Sequence, residues 1–80
     1  MSAKFLFFAE CADWMGCREM EIFFPKPMKL SEFLEDTPAF FPLLSHLDLL
    51  KVAVNQSLSD FHKMVCDGDE IAFMPPYSGG

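Results

Sequence analysis

Basic side chains are scarce in this sequence: six Lys and Arg stand against twelve Asp and Glu, a formal charge of −6. Nucleic-acid binding needs clustered Lys and Arg to neutralise phosphates, so this balance argues against it and favours a basic protein partner. Long hydrophobic runs are missing too, and none approaches the ~20 residues of a membrane span. The opening MSAKFLFFAECADWMG holds one Lys and an apolar run too short for a secretory h-region, so the expected location is the cytoplasm. Cysteine is sparse and unpaired. Cys11, Cys17 and Cys66 form an odd set with no short paired spacing, and cytosolic thiols stay reduced. Adding His46 and His62 supplies zinc-ligand types but no recognisable ligand spacing, so no metal is expected. The chain also has no internal repeat, low-complexity segment or domain linker.

What the sequence does have is apolar bulk. Hydrophobic residues make up 51% of it, and ten of its 80 residues are Phe. A chain of this length forms one small domain near the size where stability becomes marginal. Apolar surface beyond what its core can absorb is expected to meet a protein partner.

Periodicity places the elements. Lys4 to Ala9 reads as a first strand with both faces apolar, and Glu10 to Met15 as a helix of under two turns that Gly16 ends. Glu10 and Asp13 suit a solvated first turn better than acid–base work. Trp14 reads as a packing residue. Glu21 to Phe24 forms a second strand, antiparallel to the first and stopped by Pro25 and Pro27. Leu30, Phe33 and Leu34 make the buried stripe of the main helix, Leu30 to Asp36, with Ser31 as its expected N-cap. Pro42 suits the first turn of a further short helix through Leu47. In Leu49 to Asn55, the third strand, Leu50, Val52 and Val54 face the core. A short edge strand is expected at Leu58 and Ser59, and His62 falls in a polar loop.

The last fourteen residues, DGDEIAFMPPYSGG, carry the chemistry. Gly68 between Asp67 and Asp69 supplies the positive φ of a tight reversal, and both carboxylates can accept hydrogen bonds from nearby amides. Glu70 to Met74 alternates as a strand, and Pro75 and Pro76 end it because neither has an N–H to donate. The predicted domain therefore spans residues 1–74, with 75–80 as a flexible C-terminal Gly-Gly tail. Extended, those six residues reach about 20 Å, enough to enter another protein's active site. Gly79 and Gly80 remove every side-chain atom from the leading end, so a channel only as wide as a backbone would admit it. The alternative is a frayed terminus of no function.

These residues carry a family resemblance. VNQSL at Val54 to Leu58, DGDEIAFMPPYSGG to the end, and an opening strand like KFLFFAE together resemble the ubiquitin-like sulfur carriers, in particular the small subunits of molybdopterin synthase. The resemblance implies an α+β fold of the ubiquitin-like β-grasp type, a mixed sheet packed against a main helix and short helices, with the first and last strands adjacent and parallel. It implies that the Gly80 carboxylate is adenylated, converted to a thiocarboxylate, and donates sulfur to the cyclic pyranopterin precursor of the molybdenum cofactor. Partners follow: the large subunit of molybdopterin synthase, in a heterotetramer; an ATP-dependent adenylating enzyme; and a persulfide sulfur donor. No cofactor is bound by the chain itself, and it is not an enzyme in isolation. Pro75, Pro76, Tyr77, Ser78 and Gly79 would thread into the partner, and bulky Tyr77 departs from the smaller or β-branched residues usual there.

If Phe5, Phe7, Val52, Val54, Ile71 and Phe73 face the helix, then Phe8, Ala53, Ala72 and Met74 face the other way, where a solvated sheet would be polar. Phe8, Leu58, Ala72 and Met74 are the expected partner interface. Three alternatives stay open: a sulfur carrier for thiamin thiazole, a modifier that serves tRNA thiolation, and a plain interaction module with an inert tail.

Overall fold

The computed structural model describes residues 1–76. Strand β7 (Glu70–Met74) is the middle strand of a five-stranded sheet ordered β2-β1-β7-β4-β5, where β1 is Ser2–Phe7, β2 Glu19–Phe23, β4 Lys51–Val54 and β5 Ser57–Ser59. β1 and β7 are parallel, pairing Phe5 with Ile71 and Phe7 with Phe73, and every other pairing in this sheet is antiparallel. That adjacency is the one the family resemblance implies. Two parallel neighbours at the chain's two ends require everything between them to cross over, and helices α1 (Glu10–Met15), α2 (Leu30–Asp36) and α3 (Phe41–Leu44) lie in that crossover.

One face of the sheet is the core. Phe5, Phe7, Val52, Val54, Ile71 and Phe73, all expected to face the helix, are buried together with Leu30, Phe33 and Leu34 of α2 and Phe40 and Leu43 around α3. Phe5 is at its middle, with ring centroids 5.2 Å from Phe33, 4.8 Å from Phe40 and 6.2 Å from Phe73. Trp14 packs as expected, its ring stacked 3.8 Å from that of His46.

Two turns fix the register around β7. Gly68 has φ +83°, in the left-handed region its position called for. Asp67 Oδ1 accepts from the Ser2 amide at 2.8 Å and Asp69 Oδ2 from the Cys66 amide at 2.8 Å. The VNQSL segment is a two-residue hairpin between β4 and β5 with Asn55 and Gln56 both at positive φ, 51° and 70°. Asn55 then ties this hairpin to the acidic turn: its Nδ2 donates to Asp69 Oδ1 at 3.0 Å, and its Oδ1 accepts from the Glu70 amide at 2.9 Å.

Three expectations are corrected. The first strand starts and ends two residues earlier than expected, because the chain reverses at Ala9. Ser31 does not cap α2, for the helix begins one residue before it, after Lys29, with no side-chain cap. Its first amides are satisfied instead by carbonyls of a distant loop, Leu30 N–H donating to Lys63 O and Ser31 N–H to Phe61 O, each at 2.8 Å. That loop adds a second sheet absent from the sequence reading, β3 (Met28–Lys29) paired antiparallel with β6 (Met64–Val65).

Ala9 itself has φ 51° and ψ −128°, close to the first central position of a type II′ turn, and the Cys11 amide closes that turn on Phe8 O at 3.0 Å. Glycine adopts this conformation freely, whereas a Cβ there costs about 1–3 kcal/mol. Ala9→Gly is therefore expected to raise stability by about 1 kcal/mol, seen as a higher urea midpoint at unchanged m-value.

Candidate functional site: the open face of the sheet and the exit of the last strand

Among the described residues the main helix packs on the core face and not on the sheet's second face, and the register fixes what that second face presents. Residues directly opposite one another in a sheet share a face. Leu6 pairs with Glu19 and Ala72, Ala72 with Ala53, and Ala53 with Leu58, so these five lie in one row running across all five strands. From Leu6 to Leu58 this row is apolar over three strand spacings, about 14 Å. Its centre is two alanines and its ends are larger side chains. The result is a shallow trough with Leu6 as one wall, Leu58 as the other and backbone close to the surface between them.

The neighbouring rows differ. Towards the start of β7 the row reads Glu21, Lys4 and Glu70, charged throughout. Towards its end, Met74 pairs with Lys51, and Phe8 lies one step beyond the Phe7–Phe73 pair, its amide donating to Phe73 O at 3.0 Å. The apolar part of the face is thus displaced to the end of the sheet from which β7 leaves. Phe8 is 49% exposed and Leu58 76%, while Ala72 and Met74 are half-buried. All four residues expected at an interface are thereby brought onto one face. Ala53, expected beside them, is buried at 8% yet stands apart from the core cluster, as a small side chain on the trough floor would.

Pro75 is expected as the first residue of the tail. Inward positions on β7 alternate as Ile71, Phe73 and then Pro75, which is fully buried, so its ring belongs to the domain body. Pro76 is exposed and is the last described residue. The expected threading residues Tyr77, Ser78 and Gly79, and the expected reactive Gly80, lie outside the described residues.

The side chains offer little chemistry of their own. Among the described residues no group of His, Cys, Asp and Glu is placed to hold a metal ion. Cys11 is buried, and desolvation, with a smaller contribution from the Glu10 charge, pushes its thiol pKa up, away from the thiolate a sulfur nucleophile requires. His62 is exposed in its loop, where its amide donates to Asp60 Oδ1 at 2.8 Å. No helix among the described residues is long and apolar enough to cross a membrane.

Comparison with known proteins agrees with this geometry. The sulfur carrier subunit of molybdopterin synthase from Escherichia coli K12 is 35% identical over 79 residues, covering 96% of this chain and 98% of that one. Among solved structures, SAMP1 from Haloferax volcanii superposes with a TM-score of 0.82 at 25% identity, over the whole of both chains. Subunit 1 and 2 of the molybdopterin-converting factor from Helicobacter pylori 26695, solved as a protein–protein complex, matches with a TM-score of 0.66 at 25% identity, again over the full length. These neighbours are ubiquitin-like, and the mixed sheet with β1 beside β7 is a β-grasp. The ThiS family profile matches residues 5–80, from the buried Phe5 at the middle of the core to the terminal glycine, and the chain belongs to the ThiS family.

Proposed function

We propose that this chain carries sulfur for molybdopterin synthesis as a thiocarboxylate on Gly80. The observation that supports it most is the apolar trough at the end of the sheet where β7 leaves: a partner seated there lies next to the segment that leads to Gly-Gly. The sequence relatives support the pathway, since those compared are named for molybdopterin synthase.

The chemistry follows from the weakness of a carboxylate as an acyl donor. ATP-dependent adenylation turns one oxygen of Gly80 into a good leaving group, with loss of pyrophosphate. The terminal sulfur of a persulfide donor then attacks the carbonyl carbon and expels AMP, forming an acyl disulfide. A second thiol of the donor breaks the S–S bond and leaves the thiocarboxylate, the donor becoming a disulfide. Docked in the large subunit, two copies of each chain forming the assembly, the thiocarboxylate would donate sulfur to the cyclic pyranopterin precursor. A Lys of the partner would move the protons, and its Arg groups would hold the precursor. Pro76 and residues 77–79 then serve as a slim lead, and Phe8, Leu58, Ala72 and Met74 as the docking face. The chain binds no cofactor in this scheme, and ATP is consumed by the activating enzyme.

The test is the intact mass of the full chain after incubation with its adenylating enzyme, ATP and a persulfide donor. Replacement of one oxygen by sulfur is expected, and it should vanish when Gly80 is deleted. Adding the large subunit and the pyranopterin precursor should return the mass to that of the carboxylate; transfer only to a thiazole or tRNA acceptor would instead place the carrier in another pathway. No change of mass with any activating enzyme overturns the carrier role.

A further inference from the structure

Beside the trough lies a second feature, which shares Phe8 with the docking face. A cleft of about 550 Å³ opens between the end of β1, the first turn of α1 and the start of β2. Leu6, Phe8 and Ala12 give it apolar walls, and Leu6 is shared with the apolar row, so cleft and trough form one continuous surface. Its lip is charged. Asp13 comes from α1 on one side, and Arg18, just before β2, and Glu19, its first residue, come from the other. The cleft exists because of the strained turn at Ala9, which lines it and swings α1 away from the line of β1.

Apolar walls below and two carboxylates at the mouth fit a side chain with a long hydrocarbon stem and a cationic head. The geometry points to this cleft as a socket for one Lys or Arg of the partner that docks on the trough, a specificity anchor added to the apolar contacts. Charge is on its side: the chain carries −6 overall, which favours a basic partner. Arg18 offsets one of the two carboxylates, leaving one net negative charge among Asp13, Arg18 and Glu19. Lys4 does approach Glu19 Oε2, at 3.8 Å, but both side chains are more than half exposed and the contact is weak enough for a partner cation to replace it. This socket rests on the docking proposed above, and its test separates the two.

The experiment is a titration of the full chain with the large subunit of molybdopterin synthase from the same organism, at low and high salt. Asp13→Asn with Glu19→Gln keeps the shape of two exposed side chains and removes their charge, so the fold is retained, as a circular dichroism spectrum would show. Binding at low salt is expected to weaken about tenfold and to lose part of its salt dependence. Leu58→Asp, in the trough, serves as the reference. Should Leu58→Asp weaken binding while the double variant matches the parent at both salt concentrations, the socket is overturned and the docking face stands. Should the parent fail to bind, or Leu58→Asp bind as the parent does, the docking face falls and the socket with it.

Discussion

Phe5→Ala is expected to cost about 3–5 kcal/mol of folding stability, the usual loss when a fully enclosed aromatic ring leaves a cavity. Phe5 has no exposed surface and touches three other rings, Phe33 on α2, Phe40 beside α3 and Phe73 on β7. It is thus the point where the central parallel pair meets both helical elements, and neighbouring elements cannot all collapse into its space at once. Small domains have about 5–15 kcal/mol in total, so such a loss brings this one near its unfolding midpoint. Urea denaturation followed by far-UV circular dichroism measures it directly. Phe23→Ala provides the contrast: Phe23 is 76% exposed at the edge of the sheet, and its removal should stay within about 0.5 kcal/mol. Equal losses for the two variants would refute the assignment of the core.

The pair also shows where sequence is informative. Of ten Phe residues, Phe5, Phe7, Phe24, Phe33, Phe40 and Phe73 are buried, and alternation separates Phe7 from Phe8 and Phe73 from Met74 without any structure. Helix α1 and strand β7 match their expected bounds because each ends on a local signal, Gly16 in the left-handed conformation and a pair of prolines. Parallel pairing of β1 and β7 is a contact between residues more than sixty positions apart, and it came from family resemblance rather than from periodicity.

The failures share a cause. Nothing local marks Leu30 and Ser31 as amides served by Phe61 and Lys63, so Ser31 drew the cap assignment by its chemistry alone. Strands of two residues, Met28–Lys29 and Met64–Val65, are too short to show a period. Ala9 occupies a conformation that glycine would have advertised, and the cleft beside it stayed hidden for that reason. Pro75 reads as a strand terminator through its missing N–H, but alternation from Ile71 and Phe73 also buries its ring. A signal for that was present: the inward register of β7 extends to position 75.

Leu58→Asp is expected to weaken binding to the large subunit by about 30-fold to 1,000-fold while leaving the free chain's stability within about 0.5 kcal/mol. The asymmetry comes from exposure. In the free chain Leu58 is 76% solvent-exposed on edge strand β5, so a carboxylate there is hydrated as it would be in the unfolded state. In a complex seated on the trough the same carboxylate would be stripped of water against apolar surface, with Ala53, Ala72 and Leu6 following in its row and Lys51 in the next row offsetting only part of the cost. Burying it there costs about 2–4 kcal/mol, which corresponds to the expected loss in affinity. Phe8→Asp, beyond the Leu6 wall on the same strand's exit and 49% exposed, should behave alike. Binding and melting measured on the same preparations decide the point. Unchanged affinity in both variants would show that the partner engages the tail alone. A loss of affinity that tracks a loss of melting temperature would instead make these residues part of the fold. A loss of affinity at constant melting temperature means that the apolar face holds the carrier in place, so that delivery by the tail begins from a complex already formed.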